Sequence, residues 1–162
     1  MEVVKNFRYL GTMLEDKLSF SCHVDMVHKK AQQRLFLLRK LRSFDVSAHI
    51  LQMVYQALIE SILSFNIVTW FSHLNVREKN RLSRVVNIAS KIIGVPQQQL
   101  TTLYDRALTR NAVKISCDKT HPLNRKFVKL PSGRRYRVPL AKKNIHRRSF
   151  VPSAISVLNA AL

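Results

Sequence analysis

Between residues 19 and 118, apolar side chains recur at steps of three and four, and almost nothing interrupts them. That spacing is the signature of helices with one buried face. The whole chain of 162 residues holds only three glycines and five prolines, so long helices can form. The first is expected to start at a Ser19 or Ser21 cap and to run to about Arg42. Its inward face would be Val24, Val27, Ala31, Leu35, Leu38 and Leu41, with His28, Lys29, Lys30, Arg34, Arg39, Lys40 and Arg42 on the remainder. A second, capped by Ser47 and running to about Phe65 or beyond, would bury Ile50, Leu51, Val54, Leu58, Ile62 and Phe65. The third has the clearest ends. Asn75 with Glu78 three residues later forms a capping-box pattern, and Gly94 followed by Pro96 marks the stop. Leu82, Val85, Val86, Ala89, Ile92 and Ile93 face inward there, and Arg77, Lys79, Arg81, Arg84 and Lys91 outward. A fourth helix spans about Thr102 to Cys117.

Either side of this helical block the pattern changes. Val3 to Leu14 reads as two short strands bent at Gly11. After Asp118 the remaining 44 residues contain no acid and eleven basic residues. Within them Phe127–Leu130 and Tyr136–Leu140 flank Pro131-Ser132-Gly133, a turn between two short strands. Ser149 to Leu162 closes as a short apolar helix. The expected architecture is therefore mainly α: about four helices, an N-terminal β-hairpin, a short second hairpin and a basic C-terminal tail. The expected divisions are residues 1–18, 19–118 and 119–162.

Charge decides the class of partner. The 28 Lys and Arg against 9 Asp and Glu give a formal +19, and such self-repulsion destabilises a compact state unless a polyanion or counterions absorb it. RNA or DNA is the expected partner, ahead of an anionic membrane surface. The strongest candidate site is the tail: Arg134, Arg135, Tyr136 and Arg137, then Lys142 and Lys143, then Arg147 and Arg148. Arginine forks grip phosphate bidentately, and an interleaved tyrosine can stack on an unpaired base. The bland alternative is a solvated tail that only keeps the chain soluble. Lys29, Lys30 and Arg34 on the first helix form a second, weaker candidate surface. Ile50 to Phe71 is apolar and long enough to cross a bilayer, but it carries Gln52, Gln56, Glu60 and Asn66. A core helix is the better expectation, with no membrane as partner. Two cysteines and no leader-like start point to an intracellular location, nuclear or cytoplasmic, without secretion.

Catalytic chemistry is hard to find. His23-Val24-Asp25 has the spacing of part of a two-histidine-one-carboxylate iron site, but it lies at a helix start and lacks a rigid β scaffold. Cys22 and His23 with Cys117 and His121 do not have the two tight pairs of structural zinc. There is no Gly-rich phosphate loop and no nucleophile elbow. The expectation is no catalytic centre, no cofactor and no metal.

Several short motifs, taken in order, add a resemblance. They are Phe7-Arg8-Tyr9-Leu10-Gly11, Lys30 with Arg34-Leu35, Trp70, Arg81-Leu82 through Ala89 to Ile92-Ile93-Gly94, His121-Pro122, Ser132-Gly133-Arg134-Arg135-Tyr136, and Ser149-Phe150 with Pro152. In this order they resemble the region downstream of the palm in non-LTR (LINE-type) retrotransposon reverse transcriptases. The resemblance implies that Tyr9, Leu10 and Gly11 are a remnant of the primer-side hairpin, next to a missing palm. It implies that the helix from Ser21 to Arg42 is a thumb element gripping nucleic acid, with the rest of the enzyme as partner in any longer product. The metal-binding acids of that family lie upstream of its Tyr-Leu-Gly, so the resemblance implies no polymerisation by this chain. The sequence also resembles a segment identified as the N-terminal domain of the eighth AlkB homologue, in a family of alkylation-repair dioxygenases fused to a methyltransferase. That resemblance implies a subdomain of an alkylated DNA or tRNA repair protein, of the 2-oxoglutarate dioxygenase and methyltransferase kind. The residues encode neither an oxygenase core nor a cofactor loop, so no catalytic centre is expected in this chain.

Overall fold

The structure is a computed structural model, and it describes residues 5–161. It is mainly helical, with an N-terminal two-stranded antiparallel hairpin. Strand β1 (Asn6–Tyr9) pairs with β2 (Thr12–Glu15), Tyr9 opposite Thr12. The two linking residues, Leu10 and Gly11, both have positive φ (43° and 85°). This is the backbone that a tight two-residue hairpin loop needs. Val3 and Val4, expected in the first strand, lie outside the described residues.

The helices follow as α1 (Ser21–Arg42), α2 (Ala48–Tyr55), a π turn (Gln56–Glu60), α3 (Ser61–Ser64), α4 (Ile67–Trp70) and a 3-10 turn (Phe71–His73). Then come α5 (Val76–Ile93), α6 (Leu100–Cys117), a 3-10 turn (Asn124–Lys126), α7 (Asn144–Arg147) and α8 (Phe150–Ala160). The chain divides into two compact units between Leu103 and Tyr104, inside α6.

In the first unit α1 packs along α5 and also against α2 and α3. The expected face of α1 is buried at Val24, Val27, Ala31, Leu35 and Leu38, with Leu41 only half-buried. On α5, Leu82, Val85, Val86, Ala89 and Ile93 are buried. Asn75 caps that helix as expected: its side chain accepts from the Glu78 N–H at 2.9 Å, and Glu78 accepts from the Asn75 N–H at 3.0 Å. Gly94 ends it at φ 84°, its N–H donating to the Ser90 carbonyl at 2.9 Å. Asn75→Ala leaves an orphan amide and should cost about 1 kcal/mol. Equilibrium urea unfolding of the variant against the parent chain measures this.

Other expectations need correction. Neither Ser19 nor Ser21 caps α1. The cap position is Phe20 in left-handed backbone at φ 61°, while Ser19 donates to Glu15 and Ser21 to Glu78. Ser47 does occupy the α2 cap position, but its side chain makes no capping bond. The second helix is also rotated from its expected phase. The buried residues are Leu51, Tyr55, Ile59 and Leu63, whereas Ile50 and Phe65 are each about half exposed. These buried positions step by four. In an uninterrupted α-helix the step from Leu51 to Leu63 would swing the face by about 120° beyond whole turns. The wider π turn absorbs that rotation and keeps one face on the core.

The segment Ala48–His73 is long and apolar enough, by length and composition, to cross a membrane. Its backbone breaks at Asn66, which is left-handed at φ 50°. Beyond the break Ile67 and Trp70 return to the core, the indole N–H donating to the Phe65 carbonyl at 3.0 Å.

In the second unit Leu108, Ala112 and Ile115 of α6, Phe127, and Ala154 and Ile155 of α8 are buried. The second hairpin is shorter than expected, a single antiparallel bridge between Lys129 and Tyr136. Its flanks are held by the Leu130 N–H on the Arg135 carbonyl and the Arg137 N–H on the Val128 carbonyl, both at 2.7 Å.

Candidate nucleic-acid interface

The first candidate surface is built where α1 and α5 lie side by side. Three contacts set their register. Ser21 donates to Glu78 at 2.7 Å, so the carboxylate that caps α5 also holds the start of α1. One turn on, Arg81 pairs with Asp25, and its second nitrogen lies 3.2 Å from the His28 Nδ1. The Gln32 amide nitrogen is 3.4 Å from the other ring nitrogen of His28. Between the two helices runs an open groove of about 790 Å³, lined on one side by His28 and Gln32 and on the other by Arg77, Asn80, Arg81 and Arg84. No carboxylate is among its described lining residues.

The sequence spacing explains the positive wall. Arg77, Arg81 and Arg84 fall at i, i+4 and i+7, one face of a helix. Leu82, Val85 and Val86 pull the opposite face into the core. Partial burial, then the neighbouring Arg81 charge, holds the His28 pKa below its ordinary value, against an upward pull from Asp25. The groove is thus rich in hydrogen-bond donors and positive in character, which suits anionic oxygens.

The expected site residues on α1 fare differently from one another. Lys29 and Lys30 are exposed. Arg34 is half-buried and donates to the Leu58 carbonyl, fastening α1 to the π-turn segment. At the hairpin, Tyr9 and Leu10 are exposed. Gly11 sits against Phe65 so closely that an added Cβ would lie 3.0 Å from its ring.

His23 and Asp25 do not converge. The His23 imidazole is buried, accepting from the Met13 N–H at 3.3 Å and lying edge-on to Trp70 at 5.2 Å. Burial, then Lys30, depresses its pKa. Asp25 is exposed and held by Arg81. Among the described residues no three His, Cys, Asp or Glu side chains gather as metal ligands.

The second candidate surface lies in the second unit. Arg134, Arg135, Arg137, Lys142, Lys143, Arg147 and Arg148 are all exposed. Tyr136 is half-buried, its ring edge-on to Phe127 at 6.2 Å with the Lys129 ammonium 5.9 Å from its centroid. One face of the expected stacking ring therefore already carries a cation. Asn159 of α8 holds the Tyr136 backbone at both ends, accepting from its N–H at 2.8 Å and donating to its carbonyl at 2.9 Å. A small cavity of about 270 Å³ opens beside it, lined by Lys129, Gly133, Arg134 and Tyr136.

Sequence reasoning placed Arg77, Arg81 and Arg84 on an outward face but did not group them with His28 and Gln32. Each half was visible alone, and only the pairing of α1 with α5 joins them.

Residues 20–61 match one family model. It is described as alkylated DNA repair protein alkB homolog 8, N-terminal. The matched stretch covers α1, α2 and the π turn, and so includes the His28 and Gln32 wall of the groove. No curated protein and no solved structure matches the chain.

Proposed function

We propose that this chain is a non-catalytic module that binds the backbone of DNA or RNA. The observation that carries this reading is the groove between α1 and α5, where Arg77, Arg84, the Asp25-paired Arg81 and His28 converge and no carboxylate is among the described lining residues. The exposed arginines and lysines around Tyr136 and α7 support it with a second basic surface. Both suit phosphate, which arginine binds through paired N–H groups. The matched family model is named for alkylated DNA repair, and one wall of the groove lies within the match. On that ground the module serves a nucleic-acid repair protein as a subdomain that holds substrate while catalysis occurs elsewhere. The ordered short motifs from Tyr9-Leu10-Gly11 to Ser149-Phe150 favour a second reading, a thumb and post-thumb region of a LINE-type reverse transcriptase. The two readings share nucleic acid as ligand and differ in the parent enzyme.

Electrophoretic titration of the full chain with single- and double-stranded RNA and DNA of unrelated sequences tests the proposal. Binding should occur with little sequence preference. Joint replacement Arg134→Gln, Arg135→Gln and Arg137→Gln should weaken it about tenfold or more, since hydrogen bonds to charged groups are among the stronger contacts. The same preparation supplied with iron and 2-oxoglutarate should show no turnover. Turnover abolished by His23→Ala with Asp25→Ala would replace this reading with an oxygenase.

A further inference from the structure

We infer that the groove between α1 and α5 takes a short single-stranded segment, with phosphates on the α5 arginines and bases against the remaining lining side chains of both helices. The inference rests on the nucleic-acid reading above and narrows its ligand.

Width favours a single strand. Packed helices lie about 8–10 Å apart between axes. A duplex, whose major groove alone is about 12 Å wide, cannot enter a furrow between them. At about 790 Å³, the groove is of the size of a small-ligand site, room for a few nucleotides of one strand rather than a duplex.

The lining points the same way. Arg77 to Arg84 spans about 10 Å of the α5 axis. That is roughly three phosphates at the 3.4 Å rise of a stacked strand. A surface for backbone alone would need only these cations. This groove also presents Val76, which is 74% exposed, and Ile88 as aliphatic ground. His28 adds a flat ring on which an unstacked base can lie. Asn80 and Gln32 add amides, each with donors and an acceptor, the groups that pair with base edges. In a duplex those edges are already paired or recessed in a groove. In a single strand they are available.

The test is fluorescence anisotropy on the full chain at fixed salt, with three labelled probes. They are a mixed-sequence single-stranded oligonucleotide, the same strand annealed to its complement, and an abasic strand of equal length. The single strand should bind about tenfold more tightly than the duplex, on the scale of one stacked base. The abasic strand should lose that advantage. Arg77→Gln with Arg84→Gln changes two exposed side chains and leaves the Arg81–Asp25 pair in place. It should erase the single-strand preference and shrink the salt slope by about 1.4, or roughly 0.7 per lost phosphate. Circular dichroism confirms that the variant is folded. Equal or tighter binding of the duplex overturns the inference and leaves general backbone binding standing. A preference that survives in the double variant overturns it too, placing the single-strand site elsewhere. Failure of all three probes to bind removes the wider reading together with this one.

Discussion

Raising the salt from 50 to 200 mM should weaken nucleic-acid binding by about 10³-fold or more, provided six or more phosphates are neutralised. The reason is counterion release: each cation that docks on a phosphate frees ions condensed on the strand, and added salt reverses the gain. The chain has the groups for it. Its formal charge is +19, and its 44 residues from 119 onward carry no acid at all. In the first unit Arg77 and Arg84 are exposed beside the groove, with Lys29 and Lys30 on α1. In the second, seven arginines and lysines from Arg134 to Arg148 stand in solvent. A log–log plot of affinity against salt, taken by anisotropy, gives the number of phosphates contacted. A flat plot would mean that these charges only solubilise the chain, and the proposed function would fall.

The second large effect is on stability. Trp70→Ala should destabilise the first unit by about 3–5 kcal/mol, the usual range for emptying a buried aromatic site. Trp70 is fully buried, and its indole N–H donates to the Phe65 carbonyl at 3.0 Å. Its ring meets His23 at 5.2 Å and Phe71 at 6.0 Å, both near edge-on. Truncation would leave a cavity beside the His23 imidazole, whose Nε2 has no hydrogen-bond partner as it is. A whole domain is worth only about 5–15 kcal/mol, so the loss would be a large fraction of the total. Urea unfolding with helical circular dichroism measures it. A cost below about 1 kcal/mol would show that Trp70 does not hold α4 to the core.

The parts that were legible in the sequence rest on local chemistry. The Asn75–Glu78 box and Gly94 fix α5 because capping involves residues within one turn of each other. The face of α1 was legible because its apolar spacing is the plain helical one. The second helix was mis-phased because a π turn leaves no compositional mark, and the same apolar run fits two faces one residue apart. Ser19 and Ser21 were reasonable caps, yet Glu15 and Glu78 compete for their hydroxyls, and Glu78 is 57 residues from Ser21. The groove was invisible for the same reason. Asp25 and Arg81 are 56 residues apart, and nothing in either segment announces the other. Tyr136 was legible as part of a basic turn, but the packing of Phe127 and Lys129 on its ring was not.

The grip of Asn159 on Tyr136 also has a consequence in time. A side-chain amide here does what a neighbouring strand does in a sheet, closing both the N–H and the C=O of one residue. The two residues are 23 apart, and ribosomes add about 5–20 residues per second. The arginine-bearing turn therefore emerges roughly 1 to 5 seconds before the residue that holds it. During that interval the arginines lie on a loop not yet fastened, and the two Asn159 bonds to Tyr136 form only when α8 arrives.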